Sequence, residues 1–303
     1  MDKSSLNDFE SPTATPTSPD QRLRWQKANR EWWENNPMQY DWRERIGHDK
    51  FTEAYYREID TRFFNSTKPI MPWKTIPFDN LIPFDSLKDK KCLEIGVGCG
   101  THAHLIATHA GDFTGIDLTE HAIECSRSRL NLFGINARIL RMDAEEMEFP
   151  DHSFDFVWSW GVIHHSADTP RILSEIKRVL KPGGTVVTMV YYRNFWNYYI
   201  VAGLFYGILQ GNLFRTRSLA KTQQRATDGA LARYYTMSEW RSLVEPGFTI
   251  EEMQISGLKP ELLPIPGGRI KNLLLAMIPD SVARFLICRC KMGSFLIAKM
   301  TKV

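Results

Sequence analysis

Between Lys91 and Tyr192, short apolar runs alternate with amphipathic helical stretches, and this alternation limits the fold more than any other feature of the chain. Residues 91–95, 112–117, 137–140, 154–158 and 185–191 read as strands. A helix over 101–109 separates the first two. Thr119 can N-cap the next helix, which closes at Gly134. A third helix has Thr169 as its expected N-cap and Pro170 in its first turn. Ile172, Leu173, Ile176, Val179 and Leu180 recur on one of its faces, and Pro182-Gly183-Gly184 ends it. Short strands joined by such helices form a parallel sheet covered on both faces. Downstream, Thr236 and Glu239 make a capping-box pattern, and 248–255 and 294–300 read as two last strands. The expected fold class is α/β, a doubly wound, mostly parallel sheet of seven strands.

The rest of the chain is arranged around that core. Residues 1–20 are rich in Ser, Thr and Pro and read as a disordered tail. Residues 21–90 read as an N-terminal helical cap and connector, with helices over 21–35 and 49–64 and an aromatic stretch over 32–42. The core is 91–192. A charge-free, strongly apolar segment at 194–214 dominates an insertion at 193–235. Residues 236–303 complete the same α/β domain and carry a second helical insertion, apolar over 270–286.

Composition narrows the function. The chain has 303 residues and a formal net charge of +3, which gives no general reason to bind nucleic acid. Five cysteines make neither a disulfide framework nor a metal cluster, so a reducing, cytoplasmic setting is expected. No apolar stretch follows the charged start, and no signal peptide is read there. His102 and His104 lie two apart on a helix, on different faces, and no metal site is expected.

The chemistry concentrates at the run LEIGVGCG, Leu93 to Gly100. A strand stops at Ile95, and Gly96, Gly98 and Gly100 let a ligand lie against bare main chain at a helix N-terminus. Asp117 ends the second strand, where an acid can accept both ribose hydroxyls. Asp143 follows the third, where a carboxylate can accept from an adenine amino group. Glu94 sits in the turn and can hold a cationic amine. A nicotinamide dinucleotide is the natural competitor. Its fingerprint asks for a glycine where Thr101 stands, and Glu94 would sit poorly beside a pyrophosphate.

These residues, with Asp143-Ala144 and LKPGG (Leu180 to Gly184), resemble the class I S-adenosylmethionine-dependent methyltransferases, and within them the small-molecule, type 11-like branch. SWGVIHH, Ser159 to His165, is similar to the segment following the fourth strand in that branch. The resemblance implies a Rossmann-like fold with S-adenosylmethionine as cofactor. It implies cofactor contacts at Glu94, Gly96, Gly98, Gly100, Asp117, Leu118, Asp143, Ala144 and Ser159. It also implies an antiparallel seventh strand. The pair Tyr40-Asp41 resembles an N-terminal cofactor lid in such enzymes.

A sulfonium methyl is already activated, so the protein has to align an acceptor and exclude water. An oxygen acceptor must also lose a proton. His164 and His165 are candidate catalytic bases, or else line the pocket or cap a loop. Tyr191 and Tyr192 leave the fifth strand at the same edge and either contact substrate or pack beneath the next segment. The 194–214 segment is a buried helix or an apolar lid over the acceptor. A membrane span is excluded if strands before and after it share one sheet. The expected function is methyl transfer to a small, lipophilic or lipid-like acceptor. Nucleic acid is not expected as a partner, and the flanking arginines permit peripheral contact with anionic lipid. The competing readings are a nucleotide-cofactor oxidoreductase and a cofactor-binding scaffold without catalysis.

Overall fold

The computed structural model describes residues 12–40, 45–265 and 267–303. The strands are β1 (Lys91–Ile95), β2 (Asp112–Asp117), β3 (Arg138–Arg141), β4 (Phe154–Trp160), β5 (Leu180–Tyr192), β6 (Tyr234–Tyr235), β7 (Phe248–Ser256) and β8 (Phe295–Lys302). They form one sheet in the order β3-β2-β1-β4-β5-β8-β7. β1 to β5 pair in parallel, and β8 runs antiparallel to both β5 and β7. The seven expected strands are joined by an eighth. Two-residue β6 pairs with the end of β5, Tyr191 beside Tyr234.

Period-two alternation distributes the core to both faces. On one side, Leu93, Ile95 and Val186 pack with Ile172 and Ile176 of α5 (Thr169–Val179) and Trp240 of α8 (Met237–Val244). On the other, Phe156, Trp158 and Val187 pack with Ile106 of α3 (Thr101–His109), Ile123 of α4 (Glu120–Leu132) and Phe63 of α2 (Glu53–Thr67). Side chains close the expected helix starts. Thr119 accepts from the Ala122 amide, and Thr236 and Glu239 complete their capping box. The cap of α5 is Asp168, one residue before the expected Thr169; its carboxylate accepts from the Arg171 amide.

Two expectations outside the core are corrected. The 1–20 segment is not wholly a tail: α1 (Pro19–Asn35) begins at Pro19 with Ser18 as its cap, and the Ala14 carbonyl accepts from Arg233. Residues 1–11 lie outside the described residues, as does Asp41 of the expected lid pair. The apolar segment is not a buried helix. It is a helix over Phe195–Leu209 with π-type hydrogen bonding, followed by α6 (Asn212–Thr216) and α7 (Leu219–Ala226). Tyr198, Ala202, Gly203 and Gly207 are its buried residues, and most of its bulky side chains face outward. The second insertion carries α9 (Arg269–Met277) and α10 (Asp280–Arg284). Among the described residues, no helix is long and apolar enough to cross a membrane.

Candidate active site

A cavity of about 390 Å³ runs along the C-terminal edge of the parallel strands. Its wall follows the strand order. Asp143 comes after β3, Asp117 after β2, Gly96 and Gly98 after β1, Trp160 and Gly161 at β4, Tyr191 on β5 and Phe295 on β8. This edge is where open α/β sheets bind ligands.

At the β1–β3 end, the backbone supplies the ligand surface. Gly98 has φ +51°, and a Cβ built there would meet nothing within 4 Å. Asp117 is fixed from two sides. One oxygen accepts from the Gly98 amide (3.2 Å), and the other accepts from the Thr119 amide (3.0 Å) and hydroxyl (2.8 Å). Burial raises its pKa against these bonds. Asp143 Oδ1 accepts from the Glu145 amide and from Gln26 Nε2, each at 2.8 Å. Leu118 and Ala144 line the cavity beside these acids.

Glu94, Gly100 and Ser159 do not line it. Gly100 is the left-handed N-cap of α3. Ser159 is buried, and its hydroxyl has no protein partner. Glu94 lies behind His102, with Oε1 3.9 Å from Nδ1 and Oε2 without a partner. Burial raises the Glu94 carboxyl well above its usual range and pushes His102 down to about 3. With the imidazole uncharged, their approach is not an ion pair.

The histidine pair separates. His164 is fully buried, its ring centroid 3.8 Å from that of Tyr191, and it is not on the cavity wall. His165 is on the wall. Its Nδ1 lies 2.6 Å from the Leu231 carbonyl, so Nδ1 carries the hydrogen and Nε2 keeps a lone pair. Among the described residues, no group bonds to that buried Nε2. Gly229, at φ +89°, makes room for the ring, because a Cβ there would stand 2.5 Å from Nδ1. Burial pushes the pKa of His165 down to about 4 and that of His164 well below the ordinary value. Tyr191 lines the cavity, whereas Tyr192 packs against the core beside α5.

The depressed pKa has a measurable consequence. His165 ionises at about 4 folded and about 6.5 unfolded, so between those values the unfolded chain binds more protons. Its contribution to stability is complete above about pH 6.5 and is lost as pH falls toward 4. Carboxyls such as Glu261, raised to about 7, act in the opposite sense, so a difference isolates the histidine. The stability cost of His165→Asn should therefore shrink by about 3 kcal/mol from pH 6.5 to 4, read from urea unfolding of both proteins. A cost independent of pH would contradict a buried neutral imidazole.

The roof comes from the N-terminal part of the chain. Gln26, Asn29 and Trp33 of α1, Met38, Tyr40 and Phe63 of α2 line the cavity. Asn29 donates to the His165 carbonyl at 2.6 Å, Trp33 meets the His165 ring edge-on, and Glu34 accepts from the first amides of α4. No residue of 194–214 or 270–286 lines the cavity. Sequence reasoning missed Gln26, Asn29 and Trp33, although their spacing marks one helical face. It also missed Asp228, Leu258, Glu261 and Phe295, which line the cavity from the insertions and β8. The place of Glu261 on the wall had no sequence signal.

A family described as "Methyltransferase domain" matches residues 93–188. The core of this chain is a class I S-adenosylmethionine-dependent methyltransferase domain. The domain is similar to a phthiotriol/phenolphthiotriol dimycocerosates methyltransferase of Mycobacterium leprae, 37% identical over 33% of this chain and 37% of that protein. It is similar to a phosphatidylethanolamine N-methyltransferase of Cereibacter sphaeroides, 33% identical over 32% of this chain and 48% of that one. The matched part thus spans less than half of these relatives. The solved geranyl diphosphate C-methyltransferase of Streptomyces coelicolor A3(2) shares the fold. Its TM-score is 0.55 at 13% identity, covering 95% of this chain and 100% of that structure. The methyltransferase domain's cofactor is S-adenosylmethionine, and the residues present fit it. Open space beside Gly98 and the two acids at the ends of β2 and β3 match a thioether-linked chain and an adenosine.

Proposed function

We propose that this chain transfers a methyl group from S-adenosylmethionine to a small, lipophilic acceptor. One observation carries the reading: a single cavity joins the adenosine-type end, with Asp117 and Asp143, to an end walled by His165, Tyr191 and Phe295. When bound, the cofactor supplies a methyl group on a sulfonium, ready for displacement by a nucleophile. The protein's residues do the rest. Asp117 would accept from the ribose hydroxyls and Asp143 from the adenine amino group. The roof of α1 and α2 excludes water. His165 Nε2 accepts a hydrogen bond from an acceptor hydroxyl and takes its proton as the new carbon–oxygen bond forms.

Met189, Trp160, Leu258 and Phe295 make the acceptor side of the wall largely apolar. An apolar acceptor body would bury its surface against these side chains, with Glu261 the acid beside them. The lipid named in the C. sphaeroides relative supports the same direction. Calorimetric titration should show that S-adenosylmethionine and S-adenosylhomocysteine bind and that NAD does not. Tritiated methyl groups from the cofactor should then enter the solvent-extractable fraction of a lipid extract. Binding of NAD but of neither sulfur ligand would remove the assignment, and label confined to the aqueous phase would remove the lipophilic acceptor.

A further inference from the structure

The two insertions expose a large apolar surface that the methyl-transfer site does not use. On the Phe195–Leu209 helix, the small residues Ala202, Gly203 and Gly207 are buried, with Gly203 in contact with Leu219 of α7 and Gly207 with Leu213 of α6. The large residues point outward: Leu204 is 41% exposed, Leu209 68% and nearby Phe214 72%. The second insertion repeats the pattern. On α9 only Leu275 is buried, while Ile270, Leu273 and Met277 are 73%, 66% and 73% exposed. Isolated exposed hydrophobes are ordinary, but a concentration of this kind marks an interaction surface.

The insertions are joined at their roots. Asn194 Nδ2 donates to the Gly293 carbonyl at 2.9 Å. Asn197 Nδ2 donates to the Met292 carbonyl and the Ser294 hydroxyl, and Trp196 Nε1 donates to the Glu261 carbonyl. These roots lie at the ends of β5 and β7 and the start of β8, beside the Leu258–Phe295 end of the cavity.

Charge identifies the partner. Residues 193–227 and 263–293 hold ten Lys and Arg against one acid, Asp280. The chain as a whole has 38 basic and 35 acidic side chains, so the remainder holds 28 basic against 34 acidic. Arg215, Arg217, Arg269, Arg289 and Lys291 are exposed among the apolar residues. Exposed Leu, Ile, Phe and Met bordered by cations suit a bilayer with anionic headgroups, apolar side chains entering the acyl boundary and cations meeting phosphate. A second copy of the chain would instead bring like charges together. We propose that the two insertions form a docking face for an anionic lipid bilayer, which holds the acceptor end of the cavity at the membrane surface. The placement of that end rests on the methyl-transfer reading; the docking face itself does not.

Flotation of the full chain with phosphatidylcholine vesicles containing about one third phosphatidylglycerol tests this. The protein should float with these vesicles, far less with phosphatidylcholine alone, and less as salt is raised. A Leu209→Glu/Leu273→Glu variant should partition at least about tenfold more weakly, with its thermal midpoint and S-adenosylhomocysteine affinity unchanged. An Arg215→Glu/Arg217→Glu variant should weaken binding to anionic vesicles only, and it keeps the test open if the first variant does not fold. Failure of the wild-type protein to float with anionic vesicles would overturn the proposal. So would flotation that neither variant alters, or a dimer in light scattering that the leucine variant converts to monomer. Vesicle binding without affinity for S-adenosylhomocysteine would sink the methyl-transfer reading and leave the docking face standing.

Discussion

Replacing His165 with Ala is expected to lower turnover on an oxygen acceptor by about 10²–10⁴-fold, with cofactor affinity changed by less than about threefold. The asymmetry follows from position. His165 sits on the cavity wall with a buried Nε2 that has no partner among the described residues, whereas the Asp117 and Asp143 sites are built from the ends of β2 and β3. A base pushed down to about 4 is weak toward a free alcohol. It need not be strong, because the hydroxyl becomes far more acidic as its oxygen gains a methyl group. Burial helps instead by keeping the ring unprotonated at neutral pH, with Nε2 always free to accept. The Nδ1 bond to Leu231 holds that tautomer. His165→Gln offers a hydrogen-bond acceptor that cannot take up a proton, so it should recover alignment and only part of the turnover. Steady-state kinetics beside calorimetry separate the two quantities. An Ala variant with unchanged kcat would remove the base and point to an acceptor with no proton to lose.

The parts of this architecture legible in the sequence are those fixed by local chemistry. β1, α3 and β2 fall where glycines, a capping residue and a terminal aspartate place them. The cap of α5 slipped by one because Asp168 and Thr169 both cap well, and only the backbone decides between them. His164 and His165 could not be ranked, since adjacent residues point apart and the direction depends on a 3-10 turn at Ile163–His165. The roof was hidden for a different reason. Gln26 reaches Asp143, and Asn29 reaches the His165 carbonyl, both across more than a hundred residues of chain. The apolar insertion misled because hydrophobicity records aversion to water and not the identity of the cover. A chain with a greasy lid and one with a greasy outer face read alike until packing shows which side is buried.

Asp117→Ala should weaken S-adenosylhomocysteine binding by at least about tenfold. Two charge-assisted bonds to ribose hydroxyls are removed, each worth about 1.5–3 kcal/mol at a favourable site. The same carboxylate also organises the loop, since it accepts from the Gly98 and Thr119 amides. Alanine therefore removes both the ligand contact and the clamp on the glycine turn. Asp117→Asn separates these effects. Its carbonyl oxygen can keep one loop bond, while its amide group cannot accept from a ribose hydroxyl. If ligand contact dominates, Asn should lose nearly as much affinity as Ala, with a thermal midpoint close to wild type. If the clamp dominates, Asn should retain most of the affinity and Ala should lower the midpoint. The acid is buried and its pKa is raised by that burial, so affinity should also fall when acidification protonates it. An unchanged dissociation constant in a folded Ala variant would mean that the nucleoside does not lie at the end of β2, and the cofactor site would have to be sought elsewhere along the sheet edge.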